Sequence, residues 1–380
     1  MAIAAKDVSV EAPGFVARAE ALAGQFAERA AVHDRDGSFV AENYAALKAA
    51  GLFAAAVPVE LGGGGAELAE VCEIIRTLAH GCSSTALAYA MHSHQVVIPA
   101  WRWHHQAPAK AAVEPLLKRI AAEGLILTSS GGGDWVGGSG RAEKVEGGWK
   151  VHAKKGFVSG SPVGDLLMTG VVSEEGVLHF ALPLRAEGVR RINDWDTMGM
   201  RGTGSERVEI DGFFLADEKV ALKRKPGEWH LIFHITGTLA FPLIYAAYVG
   251  VAERARDRAV ALAKARSGAA RQPALAGEME TELRAAQMAL AHMIRSAETM
   301  APGPESVNEV MIGRQLVERH AIKAVELAME LAAGSGFYRA AGVEQAFRDI
   351  QAARYHPMRR DRQALFAGSL ALGDSVAEIF

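Results

Sequence analysis

Apolar residues recur at three- and four-residue spacing through the first third of the chain. The clearest segments are FVARAEALAGQFAERAAVHD, FVAENYAALKAAGLFAA and ELAEVCEIIRTLAH, and this spacing gathers apolar side chains on one side of an α-helix. The glycines at 62–65 and the prolines at 58 and 99 fall between such segments, where they act as breakers. The pattern predicts an all-helical domain over residues 1–122.

The pattern changes to an alternation of apolar and polar residues from about residue 123. Segments such as WKVHAK, VLHFALPL and RVEIDGFFL are rich in β-branched and aromatic residues at period two, which is typical of strands. The helical period returns in IYAAYVGVAERARDRAVALAKARS and IGRQLVERHAIKAVELAMELAAG. We therefore predict a central β domain over 123–228 and a C-terminal helical domain over 229–380, an α+β fold.

Composition and charge narrow the classes of partner. Lys and Arg total 41 against 44 Asp and Glu, a net charge of −3, and this balance argues against nucleic acid or an anionic membrane surface. The longest apolar stretch, 237–252, is shorter than the roughly 20 residues of a membrane span and predicts a buried helix. Two cysteines without a CxxC pair and an N-terminus without a secretory apolar region favour a cytoplasmic protein.

Three motifs follow one another through the predicted β domain. The segment LTSSGGGDW at 127–135 offers hydroxyls and consecutive backbone amides, which suit an isoalloxazine edge or a phosphate. KKGFVSG follows at 154–160 and TMGMRGTGSERVEIDGFFL at 197–215. In this order and spacing the motifs resemble those of the acyl-CoA dehydrogenase superfamily. The resemblance covers nearly the whole chain and implies an N-terminal helical domain, a central β-barrel or sandwich and a C-terminal four-helix bundle.

The resemblance also implies a flavin cofactor and the residues that hold it. By position, Thr128 and Ser129 would bond the pyrimidine edge, Phe157 would pack on the isoalloxazine, and Ser159 would lie near N5. These residue types suit those tasks, because an aromatic ring stacks on flavin and a hydroxyl near N5 can steer its protonation. Arg201 either braces a turn or faces the substrate.

Residues of the last domain correspond to the family's contacts with the cofactor of a neighbouring subunit. Arg266 falls where the family has a phosphate-binding arginine, and Gly334 and Gly336 match a glycine turn. Both imply a homo-oligomer, a tetramer rather than a dimer. Two departures stand out: Asp134 replaces a frequent serine of the flavin loop, and alanines at 269–270 replace an aromatic and a glycine. FMN is therefore an alternative to FAD.

The glutamate base of the dehydrogenases is missing from both places where the family has it. One place, after Arg348-Asp349, holds His356-Pro357, and the other lies near Phe241. A dehydrogenase needs a carboxylate to take the α-proton. Asp361, the nearest acid downstream, is a candidate for a displaced base.

Histidines supply a second set of candidates. His92 and His94 lie in the helix STALAYAMHSHQVV, and one of the two should face inward because they point in directions about 200° apart. The inward-facing histidine, for which His92 is the candidate, forms a trio with Ser159 and His356. This trio resembles the histidine, serine and histidine around the flavin of the two-component monooxygenases on this fold, which include dibenzothiophene monooxygenase. In that chemistry reduced flavin meets dioxygen at C4a, and imidazoles and a hydroxyl bond the resulting hydroperoxide.

Two main functions follow from these observations. The leading hypothesis is a two-component flavin monooxygenase that acts on a small heteroatom-bearing or aromatic substrate with a separate flavin reductase. The alternative is an acyl-CoA dehydrogenase with His356 or Asp361 as base and an electron-transfer flavoprotein as partner. A non-catalytic binding protein is a third class, but it predicts loss of Thr128 and Ser159, which are both present. No metal site is expected, since His230 and His234 lack carboxylate partners.

Overall fold

The N-terminal region consists of five helices in the computed structural model, which describes residues 14–132, 136–266 and 272–380. The helices are α1 (Phe15–Asp36), α2 (Ala41–Ala49), α3 (Leu68–Gly81), α4 (Ser83–His105) and α5 (Lys110–Glu123). Helix α4 packs against α3, α5, α6 of the C-terminal region and strand β1, so that side chains all around it are buried. The expectation that Pro99 breaks a helix was wrong: Pro99 lies inside α4, because packing on every side outweighs the one backbone bond that proline removes.

The described residues of the central region form one eight-stranded sheet. Its strands are β1 (Leu127–Ser129), β2 (Arg141–Val145), β3 (Gly148–Val158), β4 (Leu166–Ser173), β5 (Gly176–Pro183), β6 (Val189–Arg191), β7 (Glu206–Ala216) and β8 (Leu222–Arg224). The order is β6-β7-β3-β2-β4-β5-β8, and β1 pairs in parallel with β4. The antiparallel register between β3 and β7 shifts between Lys155 and Val158. Such a bulge re-aims the side chains beside it.

The C-terminal region returns to helices: α6 (Leu231–Lys264), α7 (Gln272–Thr299), α8 (Pro304–Ala332), α9 (Val343–Ile350) and α10 (Arg360–Leu372). Helices α6, α7 and α8 pack on one another, and α10 packs on α8. Of the described helices, α6 alone is long and apolar enough to cross a membrane, but 94% of its most apolar window is buried inside the protein. The prediction of a buried helix at 237–252 is therefore confirmed, as is the α, β, α order of the fold.

Short helix α9 ties the three regions together. Arg348 pairs with Asp34 at the end of α1, with 2.6 Å between Nη2 and Oδ2. The next residue, Asp349, is fully buried and accepts a hydrogen bond of 2.6 Å from the backbone N–H of Met200, which precedes β7. These contacts fix the turn after α9, which carries His356, relative to the sheet.

Candidate active site

Phe157 forms an exposed aromatic platform at the bulge of β3. Its side chain is 66% exposed, although phenylalanine is usually buried, and its φ of +56° is strained for a residue with a bulky side chain. The ring of Trp195 stands nearly perpendicular to it, with 6.0 Å between centroids. The two rings make an apolar corner that suits a flat aromatic cofactor.

A glycine loop runs from the end of β1 past this platform. The N–H of Gly131 donates to the carbonyl of Gly156 at 3.0 Å, which holds the loop against the backbone beside Phe157. Ser129 is half-buried, and its hydroxyl has no hydrogen-bond partner among the described residues. A flavin fits this corner, because its ring has an apolar wall in Phe157 and its polar edge a free hydroxyl in Ser129.

Thr128 is placed differently from the expectation. Its side chain is fully buried, and its hydroxyl donates to the carbonyl of Leu166 at 3.1 Å on β4. Side chains alternate along a strand, so that Thr128 points into the sheet domain and Ser129 points away from it. The side-chain contact with flavin therefore moves from Thr128 to Ser129 in our interpretation.

Ser159 begins a chain of buried hydroxyls. Its Oγ lies 2.7 Å from the Oγ of Ser205, which lies 2.8 Å from the Oγ1 of Thr203. Thr203 donates to the carbonyl of Met200 at 2.9 Å. Because that carbonyl can only accept, the chain has one favoured direction, in which Ser159 donates to Ser205. Its lone pairs then remain to accept a bond from a donor such as the N5–H of reduced flavin.

His92 is bonded to backbone groups at both ring nitrogens. Nδ1 accepts from the N–H of Leu127 at 3.0 Å, and Nε2 lies 2.9 Å from the carbonyl of Phe53. These partners require the neutral tautomer with its proton on Nε2. Burial lowers the pKa of His92 to about 4, which keeps the ring neutral. The side chain ties α4 to β1 and has no nitrogen left for a substrate.

His94 is also buried, so that both helical histidines are inside rather than one. Its Nδ1 lies 3.2 Å from the carbonyl of Ala90, and its Nε2 accepts from the side-chain amide of Gln95 at 2.8 Å. Burial lowers its pKa to about 4. Both histidines can be buried because α4 is surrounded by other elements on all sides.

His356 lies in the turn that follows α9 and is only half-buried. Its Nε2 is 2.6 Å from the hydroxyl of Tyr248 on α6, and its Nδ1 has no partner among the described residues. Burial, followed by the Arg314 guanidinium and by His94, lowers the pKa of His356 to about 3. Of the three candidate imidazoles, His356 is the one with a ring nitrogen left free.

The turn of His356 meets the glycine loop. A Cβ added to Gly132 would lie 2.8 Å from the Cγ of Pro357, so this approach requires glycine. The ring of His94 is close enough to contribute to the lowered pKa of His356. Phe157, the glycine loop and His356 are thus brought to one place by β3, β1 and the turn after α9.

The positions expected to hold a dehydrogenase base do not offer one. Phe241 is buried in α6, and His356 stands at the other position. Asp361 lies in the first turn of α10 with its side chain 61% exposed and 3.3 Å from Arg359. An exposed, ion-paired carboxylate is a poor candidate for a base that works away from water, so the displaced-base hypothesis for Asp361 loses support.

The remaining candidate residues are Arg201, Arg266, Gly334 and Gly336. Arg201 donates to the carbonyl of Asp34 at 2.7 Å and to that of Thr197 at 2.8 Å, and these contacts favour bracing of the turn over a contact with substrate. Arg266 donates to the carbonyl of Leu331 at the end of α8 at 2.7 Å. Gly334 is exposed and Gly336 buried in the turn that follows α8.

Some predictions have no structural counterpart. Asp134 and the alanines at 269–270 lie outside the described residues. No cluster of three or more potential metal ligands occurs among the described residues. His230 accepts a bond from the N–H of Ile232 at 3.1 Å and so caps α6.

Sequence reasoning missed Tyr248, Gln95 and the two hydroxyls that follow Ser159. Thr203 and Ser205 lie in the segment TMGMRGTGSERVEIDGFFL at 197–215, and their hydroxyl side chains were the available signal. Tyr248 is one aromatic residue in an apolar helix and carries no signal in the sequence.

Known proteins match the chain over most of its length. The family model for the acyl-CoA dehydrogenase N-terminal domain matches residues 15–119, and that for the C-terminal domain matches residues 243–360. A putative acyl-CoA dehydrogenase, YdbM of Bacillus subtilis, is 28% identical over 365 residues, which cover 90% of this chain and 92% of the relative.

A nitrososynthase and a monooxygenase are also among the relatives. L-evernosamine nitrososynthase of a Micromonospora species is 26% identical over 342 residues, which cover 85% of this chain and 81% of the relative. Dibenzothiophene monooxygenase of Mycolicibacterium goodii is 27% identical over a stretch that covers 60% of this chain and 57% of the relative.

A solved structure matches most of the chain as well. The structure of KijD3 in complex with FMN and dTDP-3-amino-2,3,6-trideoxy-4-keto-3-methyl-D-glucose is 26% identical to this chain. It superposes with a TM-score of 0.85, covering 95% of this chain and 93% of that one.

Proposed function

Because the chain belongs to the acyl-CoA dehydrogenase superfamily and is a flavin-dependent oxidoreductase, we propose that it is a two-component monooxygenase. It takes reduced FMN or FAD from a separate flavin reductase and transfers one oxygen atom of dioxygen to a small molecule. The observation that carries this proposal is the occupant of the base position: His356 is a neutral imidazole with one free nitrogen, where a dehydrogenase needs a carboxylate.

The cofactor supplies the redox chemistry. When bound, reduced flavin would supply two electrons and two protons to dioxygen, so that one oxygen atom would enter the substrate, the other would leave as water and the flavin would be left oxidised. In the proposed site Phe157 supports the ring, Ser129 bonds its polar edge, and Ser159 accepts a bond near N5.

The protein's further task is to control water and hydrogen bonds around the reacting oxygen. His356 offers its free nitrogen to that oxygen, and His94 contributes a second neutral imidazole wall. His92 does not contact the reacting oxygen in this proposal. It acts indirectly, because its hydrogen bonds hold α4 against β1. Dry, neutral surroundings suit this chemistry, since water or an ionised carboxylate would favour release of hydrogen peroxide without transfer.

The proposed substrate is a small molecule with an oxidisable nitrogen or sulfur atom. Three relatives support this proposal. One is named as a nitrososynthase of L-evernosamine, KijD3 binds a dTDP-linked amino sugar, and the monooxygenase is named for dibenzothiophene, a sulfur heterocycle.

The test is aerobic turnover with chemically reduced FMN or FAD and a panel of amino sugars, aromatic amines and sulfides. We expect a product heavier by one oxygen atom, with that atom derived from isotope-labelled dioxygen. His356→Ala should lower product formation by about a hundredfold and leave flavin affinity unchanged. His105→Ala, at the exposed end of α4, is the matched control. Unchanged turnover in His356→Ala would remove His356 from the site.

The similarity to YdbM favours acyl-CoA dehydrogenation as a second candidate. Its test is anaerobic absorbance of the flavin-loaded protein mixed with acyl-CoA thioesters of different chain lengths. Bleaching of the oxidised flavin would establish dehydrogenation and overturn the monooxygenase proposal. Asp361→Asn then decides whether that residue is the base.

A further inference from the structure

Tyr248 makes the hydrogen bond that is observed at the ring of His356. It lies on α6 and is 0% exposed, and its hydroxyl is 2.6 Å from Nε2 of the histidine. Both groups are neutral, because burial raises the pKa of Tyr248 well above its usual value of 10 and lowers that of His356. One proton therefore lies between the two atoms, and either group could supply it.

The surroundings of Tyr248 decide which group supplies the proton. If Nε2–H donated, the tyrosine hydroxyl would have to place its own hydrogen elsewhere, and no acceptor for it occurs among the described residues. A buried hydroxyl hydrogen without an acceptor is unfavourable. If Tyr248 donates, its hydroxyl hydrogen has an acceptor, the lone pair on Nε2 of His356. The proton of the neutral imidazole must then reside on Nδ1.

We propose that Tyr248 is a positioning residue that holds His356 in the Nδ1–H tautomer, so that the ring presents a hydrogen-bond donor to the reacting oxygen. The tautomer follows from the contacts alone, whereas its use in oxygen transfer rests on the proposed function. A donor stabilises the negative charge that dioxygen acquires as it is reduced, and a bare nitrogen lone pair would repel that charge.

The backbone of the turn does not depend on this bond. Arg314, fully buried, donates from Nη2 to the carbonyls of His356 at 2.8 Å and Ala353 at 3.1 Å. Tyr245 donates to the carbonyl of Ala353 at 2.7 Å. Loss of the Tyr248 hydroxyl therefore frees the imidazole while the turn stays in place.

A matched pair of variants separates tautomer control from general damage. Tyr248→Phe and Tyr245→Phe each remove one buried hydroxyl from neighbouring positions of α6, and each keeps the ring that packs in the core. Imidazole nitrogen NMR of the full-length, isotope-labelled protein reports the tautomer, and His356→Gln identifies the signals of His356 by their loss.

We expect the wild type and Tyr245→Phe to show the Nδ1–H tautomer of His356. Tyr248→Phe should show the Nε2–H form or a mixture. An Nε2–H tautomer in the wild type, or an unchanged tautomer in Tyr248→Phe, overturns the inference. This readout does not require oxygenation, so it stands apart from the test of the proposed function.

Turnover tests the use of the tautomer. Tyr248→Phe should lower kcat for oxygen transfer about tenfold and leave KM for substrate unchanged. It should also raise the share of the electrons from reduced flavin that are released as hydrogen peroxide. A changed tautomer with unchanged kcat and peroxide release would overturn the role of Tyr248 in the reaction.

Discussion

Phe157 combines two unfavourable features at one residue. A bulky residue at positive φ is strained by roughly 1–3 kcal/mol, and the exposed ring forgoes the stabilisation of burial. The bulge between Lys155 and Val158 maintains this conformation. Trp195 packs edge-on against the ring, and a flat ligand would cover its exposed face. We therefore propose that the residue serves binding rather than folding.

The affinity for flavin should depend on this ring. We expect Phe157→Ala to raise the Kd for FMN and FAD by roughly five- to 150-fold, because stacking on an aromatic face contributes about 1–3 kcal/mol. Titration of flavin fluorescence measures the change. Thermal stability should not fall, since the ring packs little in the free protein.

The control for this variant is Phe214→Ala. Phe214 lies on β7 and is likewise exposed, at 54%, but it belongs to no candidate site. Equal loss of flavin affinity in the two variants would show that Phe157 has no specific contact with the cofactor.

Single residues could be predicted from the sequence where a motif fixes their place. Phe157 and Ser159 follow from the KKGFVSG segment, and His356 from its spacing after Arg348-Asp349. Tyr248 could not be found in this way, because its partner lies 108 residues further along the chain and the pairing arises only when α6 packs on the turn after α9.

At the scale of elements, α9 connects the three regions, and we expect its contribution to the free energy of unfolding to depend on pH. Asp349 accepts from Met200 through Oδ1, while its Oδ2 has no hydrogen-bond partner among the described residues. Burial raises the pKa of this carboxyl to about 6. The ionised form is thus penalised in the folded protein, and the penalty is absent when the group is protonated.

Asp349→Asn should remove this dependence on pH. A raised pKa means that the stabilising contribution is complete below about pH 4 and is lost as the pH rises through about 6. Asparagine keeps the oxygen acceptor for Met200 and carries no charge. We expect the variant and the wild type to have the same free energy of unfolding near pH 4. Near pH 8 the free energy of unfolding of the variant should be higher by up to about 3 kcal/mol. Urea unfolding at both pH values measures the difference.

An exposed aspartate gives the reference for that comparison. Asp374→Asn, at the exposed C-terminal end, should follow the wild type at both pH values. If Asp349→Asn did the same, folding would not raise the pKa of the Asp349 carboxyl, and the inference would be overturned.

Whole regions of the fold were easier to predict than contacts between them. The helical period and the strand alternation are local properties, and they predicted the α, β, α order. The burial of both His92 and His94 and the continuation of α4 through Pro99 depend on α3, α5, α6 and β1 surrounding one helix. No periodicity within α4 contains that information.

At the scale of the molecule, the turn after α8 leaves large aromatic side chains in solvent. Phe337 is 84% exposed and Tyr338 is 73% exposed, and a strongly exposed aromatic pair is typical of an interaction surface. Arg266 lies at the same end of the bundle, where it bonds the carbonyl of Leu331. We propose that a second copy of the chain covers this turn and places its flavin tail beside Gly334, within a homotetramer.

The double change Phe337→Ser and Tyr338→Ser should therefore yield a smaller assembly and a weaker flavin complex together. Light scattering coupled to size exclusion gives the mass of the assembly, and flavin fluorescence gives the affinity. Val59→Thr, at a residue that is 67% exposed on the N-terminal region, should change neither quantity. A variant that stays tetrameric but loses flavin would make the turn a contact of its own subunit's cofactor. One that loses assembly yet keeps its flavin affinity would show that each subunit binds the cofactor alone.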